Sequence, residues 1–244
     1  MAAVKALGLT RLAEAAEPII ETLMVGGLKV PSDPVANALV RCYADHPSAI
    51  LPYLRRAQGD VRELLARVAS ELSTPEMADE MILLAEDPRP EVRAAAAKAL
   101  AVAPLSLAIP SLGDLVRDEV WFVRLRATIA LNEIRHPRTI PILLEAVRDP
   151  NRLVRMRAAS TLAQFEFDRV EILQSIVNSS DRYALHAMIS ALDLGGRFEQ
   201  VMGELSNPDL RDKAAERLLT ALREGAASLW TTRPADPVVE SVFP

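Results

Sequence analysis

The sequence is poor in aromatic residues, which make up only 4% of its 244 residues, although half of it is hydrophobic. Sheets favour aromatic and β-branched side chains, whereas the abundant alanine and leucine favour helices. A quarter of the residues are charged, as is usual for a folded globular protein. We therefore predict an all-α protein.

Cysteine and histidine are also scarce. A single cysteine, Cys42, excludes an internal disulfide, and three scattered histidines do not form a zinc-site pattern. The sequence contains no glycine-rich phosphate loop, no G-x-S-x-G elbow and no HExxH motif. We therefore expect a cytoplasmic protein with no catalytic residue, no metal and no other cofactor.

Long hydrophobic runs and an excess of basic charge are missing too. No stretch of about 18 uninterrupted apolar residues occurs, and "MAAVKALGLTRLAEAAE" lacks the apolar core of a secretory signal. The net charge of −5 argues against broad binding of nucleic acid, which depends on many Lys and Arg contacts to phosphates. The sequence predicts neither a membrane span nor export.

A repeat of 31 residues occupies the middle of the chain. The segments "EDPRPEVRAAAAKAL", "RDEVWFVRLRATIAL" and "RDPNRLVRMRAASTL" align without a gap, and Val61 extends the frame upstream. Weaker copies follow in "DRYALHAMISAL" and "NPDLRDKAAERLL". The recurring residues are Asp87, Asp118 and Asp149; Val92, Val123 and Val154; and Arg93, Arg124 and Arg155. A fixed period of this length is typical of stacked repeats.

This pattern resembles the HEAT repeat, in the short form common in bacterial proteins. Its unit is a first helix bearing a proline, an aspartate in the turn, and a second helix opening with Val-Arg. The resemblance is close over about 75–165, weaker over 33–74 and 166–223, and absent from the last twenty residues. It implies an α-solenoid (superhelix) of about seven helical hairpins, with the second helices lining a concave face.

Hydrophobic periodicity supports the same fold. The second helix of the central repeat carries one apolar stripe with a period of 3.6 residues, formed by Val123, Ala127, Ala130, Leu131 and Ile134. One hairpin cannot bury its apolar faces alone, so neighbouring hairpins must stack. We expect the alanines to let the helices approach closely.

We predict one solenoid domain over 1–223. It comprises a half-repeat helix at about 2–13 and hairpins at about 14–45, 46–73, 74–103, 104–135, 136–165, 166–194 and 195–223. Either the first helix caps the solenoid or the chain is a piece of a longer protein, which could be membrane-anchored. The tail, 224–244, has three prolines and no period, so we expect it to be extended and flexible. Its Trp230 could dock on the last hairpin or bind a partner.

The repeated aspartates and arginines are interpreted as a structural ladder. An aspartate in the turn can accept hydrogen bonds from N–H groups where the next helix begins. An arginine six residues later can reach an aspartate of its own or of the adjacent repeat. The predicted ladder consists of Asp87, Arg93, Asp118, Arg124, Asp149 and Arg155.

Five residues of the middle repeats are predicted to bind a partner: Trp121, Leu125, Arg126, Met156 and Arg157. The last four lie away from the core stripe. Between Arg117 and Arg157, nine arginines face five acidic residues, which suggests a partner that is acidic at the contact. The alternative is a solvated face. Trp121 has the residue type most enriched at binding hot spots, whereas Phe122 is expected to fill the core.

Two functions stay open. The first is a non-enzymatic protein–protein interaction scaffold, either monomeric or part of a larger complex. The alternative is an enzyme subunit with a ligand on the concave face, as in the bilin lyases or alkylpurine DNA glycosylases that share this repeat. Trp121, Asp118 and Arg155 are residue types that such glycosylases use, without a local motif match. The paired His-Glu motifs of deoxyhypusine hydroxylase are absent.

Overall fold

The computed structural model of the chain describes residues 12–166, 169–206 and 213–231. Within these ranges the chain forms fourteen α-helices and no β-strand. The predicted all-α solenoid fold is confirmed. The helix expected at 2–13 lies outside the described residues except for residues 12 and 13. The part of the tail after 231 also lies outside them.

The helices follow one another in pairs, joined by short turns. Short 3-10 helices precede three of the first helices, each opening with a proline, where the missing N–H has no partner to lose. The α-helices are α1 (Ala13–Gly26), α2 (Ser32–Tyr43), α3 (Leu51–Arg56), α4 (Gly59–Glu71), α5 (Ala78–Leu84), α6 (Pro90–Ala99), α7 (Leu105–Leu115), α8 (Trp121–Ile134), α9 (Ile140–Ala146), α10 (Arg152–Leu162), α11 (Arg169–Asn178), α12 (Arg182–Leu194), α13 (Phe198–Leu205) and α14 (Lys213–Thr231).

The chain divides into two compact units, Met1–Ile142 and Leu143–Pro244. In the first unit, the second helices α2, α4, α6 and α8 pack against one another in chain order, and each also packs against its own first helix. The predicted stripe of α8 is buried at Val123, Ala127, Ala130 and Leu131, whereas Ile134 is only half-buried. Alanines that are buried on both α6 and α8 permit this packing.

In the second unit, α12 packs against both α10 and α14, and α14 also contacts α11 and α13. Its core contains the valine of the repeat, Val154, with Ala158 and Leu162 from α10 and Met188 and Leu192 from α12, none of them measurably exposed. The same apolar positions thus form the core of both units.

The last helix is longer than the sequence suggested. Helix α14 continues to Thr231, so the prediction of an extended tail from 224 is wrong for residues 224–231. Gly225 does not end the helix. A Cβ at this position would lie 2.7 Å from Ile189 Cδ1 and 3.1 Å from Leu185 Cδ2, so glycine lets α14 approach α12 closely. Trp230 lies in the last turn of α14.

None of the described helices is long and apolar enough to cross a membrane.

Candidate functional site

Arginine–aspartate pairs connect successive repeats of the first unit. Arg62 Nε donates to Asp87 Oδ2 at 2.6 Å. Arg93 donates to both carboxylate oxygens of Asp118, at 2.6 and 3.0 Å. Each arginine also donates to a carbonyl oxygen of its own repeat, that of Leu54 for Arg62 and that of Asp87 for Arg93. One guanidinium therefore joins its own turn to the aspartate of the next repeat.

Each of these aspartates also orders its turn. Asp87 accepts a hydrogen bond from the N–H of Arg89 at 3.0 Å, and Asp118 accepts one from the N–H of Val120 at 2.8 Å. The donors are the residues just before α6 and α8, so each aspartate acts two residues before the helix cap. Because both oxygens of Asp118 are held by Arg93 and one also by Val120, its carboxylate is engaged in the turn.

The remaining ladder residues repeat part of this geometry. In the first unit, Arg124 donates to the carbonyl oxygens of Asp118 and Glu119. In the second unit, Asp149 accepts from the N–H of Asn151 at 2.7 Å. There, Arg155 donates to the carbonyl oxygens of Asp149 and Pro150, at 2.8 and 2.9 Å.

An open groove of about 580 Å³ runs along the second helices α4, α6 and α8 of the first unit. Its floor on α6 consists of the small residues Ala94 and Ala95, and α8 contributes Phe122 and Arg126. Beside these alanines, Glu91 and Lys98 of α6 also line the groove.

Most charges along this groove are paired. Arg67 forms an ion pair with Asp33 at 2.8 Å, and Lys98 forms one with Glu71 at 2.5 Å. Arg89 forms ion pairs with Asp60 and Glu63 of α4. Arg126 differs, because it is exposed and has no carboxylate partner within the described residues. It is the lining cation that remains free to bind an external anion.

Beside Arg126, α8 presents the aromatic pair. Trp121 is 43% exposed, and its ring meets that of Phe122 edge-on, with centroids 6.1 Å apart. Phe122 is half-buried and lines the groove, so the expectation that it fills the core is only partly met. Leu125 is also half-buried. The three predicted contact residues of the first unit therefore lie on one helix with their side chains accessible.

In the second unit, α10 carries the other two predicted contact residues. Met156 is half-buried, and Arg157 is exposed without a carboxylate partner in the described part of the chain. Two neighbouring residues, Leu153 and Tyr183, are 54% and 56% exposed and were not predicted from the sequence. Each is the second residue of its helix, α10 or α12, but the shorter spacing of the later repeats concealed this correspondence.

Cations surround Tyr183. The guanidinium carbons of Arg155 and Arg182 lie 5.3 and 5.0 Å from the centre of its ring, within cation–π range. One turn along α12, burial and then the positive charge of Arg182 lower the pKa of His186 below its ordinary value. Both effects favour the neutral form of this imidazole. No cluster of metal-binding side chains occurs in the described ranges.

Comparison with known proteins adds one match. The family model of HEAT repeats matches residues 47–132 and 109–193, which together exceed half of the chain. No curated protein matches the sequence.

Proposed function

The chain belongs to the HEAT-repeat family, and on that premise we propose that it is a non-enzymatic scaffold or adaptor that binds a protein partner, acidic at the contact, on the face formed by its second helices. The open groove on α4, α6 and α8 carries this proposal, because Arg126 lines it without a carboxylate partner among the described residues. We further propose that it acts in the cytoplasm as a monomer or within a larger complex. Cys42 is buried and is the single cysteine of the sequence, so it forms no internal disulfide, which is consistent with a reducing compartment.

The composition of the surface supports a protein partner. Interfaces are enriched in tryptophan and arginine, and binding energy concentrates on a few such residues. In the first unit, α8 carries Trp121, Leu125 and Arg126 with accessible side chains, and of these three Arg126 lines the groove. In the second unit, α10 presents Met156 and Arg157 at the corresponding repeat positions. On each helix, an apolar side chain that can be buried lies beside a cation that can attract and orient an acidic segment.

Charge reversal tests the role of the arginines. Arg126→Glu and Arg157→Glu, made separately, are each expected to slow association and to reduce its salt dependence, because electrostatic steering acts over about 8 Å at physiological ionic strength. Trp121→Ala is expected mainly to speed dissociation, because it removes a buried anchor. Surface plasmon resonance with a partner isolated by pull-down, at two salt concentrations, measures both rates.

The matched control is Arg138→Glu, which makes the same charge change at an exposed turn residue before α9. It should leave both rates nearly unchanged. All three reversals should cost less than about 0.5 kcal/mol in the free energy of unfolding, because they alter surface residues that form no ion pair with the described residues. Unchanged affinity of both Arg126→Glu and Arg157→Glu at low salt would rule out the proposed acidic contact.

A further inference from the structure

The ladder of the second unit lacks one carboxylate. Ahead of α12, the turn residue Ser179 accepts the N–H of Asp181 through its Oγ at 3.3 Å, as Asp118 accepts the N–H of Val120 ahead of α8. Ser179 therefore stands where a ladder aspartate would stand. Its hydroxyl is too short to replace the carboxylate that receives two guanidinium hydrogen bonds in the first unit.

The arginine that should meet this carboxylate is present. Arg155 donates to two carbonyl oxygens of its own turn, as Arg93 does. Arg93 continues to Asp118, whereas Arg155 has no carboxylate within ion-pair distance in the described part of the second unit. Its guanidinium instead lies against the ring of Tyr183. Stacking on an aromatic face leaves the edge N–H donors available, and these match the geometry of a carboxylate.

The surroundings favour an acidic ligand with an apolar neighbour. Arg152 and Arg182, the first residues of α10 and α12, are exposed and have no carboxylate partner within the described residues. Asp181 is engaged with the backbone N–H groups of Tyr183 and Ala184. Between these arginines, the packed helices α10 and α12 expose Leu153 and Tyr183.

We infer that an aspartate or glutamate of the protein partner takes the place of the missing ladder carboxylate and is bound by Arg155, while an adjacent apolar side chain of the partner packs on Leu153 and Tyr183. The inference rests on the proposed protein-binding function and specifies the chemistry of one contact. Arg155 is thus both a structural residue of its own turn and a recognition residue for the partner.

Two synthetic peptides test this contact. One is a fluorescein-labelled peptide with three Asp-Leu pairs, and the other has Asn-Leu pairs instead. We expect the full chain to bind the acidic peptide about tenfold more tightly in fluorescence anisotropy, which corresponds to about 1.4 kcal/mol, as expected for a hydrogen bond to a charged group. Equal binding of the two peptides, or no binding of either, would overturn the inference.

The decisive variant is Ser179→Asp, which supplies the carboxylate within the chain. It should raise the melting temperature and weaken the acidic peptide about tenfold, because Arg155 is then occupied. Ser179→Asn is the matched control, since it has nearly the same shape but no charge, and it should retain the affinity. Wild-type affinity in Ser179→Asp rejects the inference. The inference is also rejected if Ser179→Asn loses as much affinity as Ser179→Asp.

Two further measurements test the contact at Arg155 independently of Ser179→Asp. If Ser179→Asp does not fold, Tyr183→Ala can be used instead, because it changes an exposed side chain. It should lower the affinity for the acidic peptide severalfold, and an unchanged affinity would again reject the inference. The Nε–H resonance of Arg155 should shift on addition of the acidic peptide and stay in place with the neutral one. If only Arg126→Glu weakens the isolated partner, the proposed function stands and this contact is rejected.

Discussion

Replacing Asp118 with alanine is expected to lower the free energy of unfolding by about 3 kcal/mol, because it removes one member of a buried ion pair. The side chain of Asp118 is 7% exposed and that of Arg93 is 12% exposed. Without the carboxylate, Arg93 keeps its charge but loses two hydrogen bonds, and the N–H of Val120 loses its acceptor. Burial therefore makes this change costlier than the loss of a turn cap alone, which is about 1 kcal/mol.

Urea denaturation followed by circular dichroism measures this loss, and two variants separate its causes. Asp118→Asn keeps an oxygen for Val120 but not the charge for Arg93, so it should recover only part of the stability. Asp33→Ala breaks the ion pair between Asp33 and Arg67. Because the side chain of Asp33 is 80% exposed, this change should cost under about 1 kcal/mol. If Asp118→Ala cost no more than Asp33→Ala at an unchanged m value, the buried ladder would not be a major source of stability.

The fold was predictable because the repeat constrains it many times. Each of the three gapless copies places a proline in or just before the first helix, an aspartate in the turn and an apolar stripe on the second helix, and these signals agree with helices α5 to α10. Val123 and Val154 are both fully buried in their units. A periodic pattern reports core positions well because every repeat must bury the same face.

The ends and the surface were less predictable. Gly225 reads as a helix breaker in sequence, yet it lies within α14, where a Cβ would come within 2.7 Å of Ile189 Cδ1 of α12; this contact depends on a packing distance rather than on local propensity. Phe122 and Tyr183 read as core or unremarkable residues, but their exposure depends on which neighbouring helices cover them. The exposure of a residue therefore depends on how pairs of helices pack, and the sequence of a single segment does not determine it.

The partner-binding residues show the same limit. The predicted Arg126 and Arg157 are exposed, and which arginines are available for a partner depends on where the acidic residues lie in space. Arg89 and Arg67 are ordinary surface arginines in sequence, but both are paired across helices. The missing carboxylate at Ser179 became visible only when its backbone contact identified it as the counterpart of Asp118.

The alanines of the second helices allow a prediction that separates packing from binding. Ala127 is fully buried on α8, which packs against α6 and α7. Ala127→Leu adds three carbon atoms where no space exists, so we expect a loss of about 3 kcal/mol in the free energy of unfolding, at the upper end for overpacked cores. The added apolar area would stabilise the fold only if the helices could move apart without losing their other contacts.

The matched control is Ala95→Leu on α6, which makes the same chemical change on the floor of the groove. Ala95 is half-buried, so the larger side chain can extend into the groove and should cost under about 0.5 kcal/mol. It should instead weaken the isolated partner by occupying its binding space. Thermal and urea unfolding, with plasmon resonance on both variants, tests the two halves together. Equal stability losses at the two positions would show that small residues do not limit the approach of α6 and α8. If Ala95→Leu left the affinity for the partner unchanged, the partner would not bind in this groove.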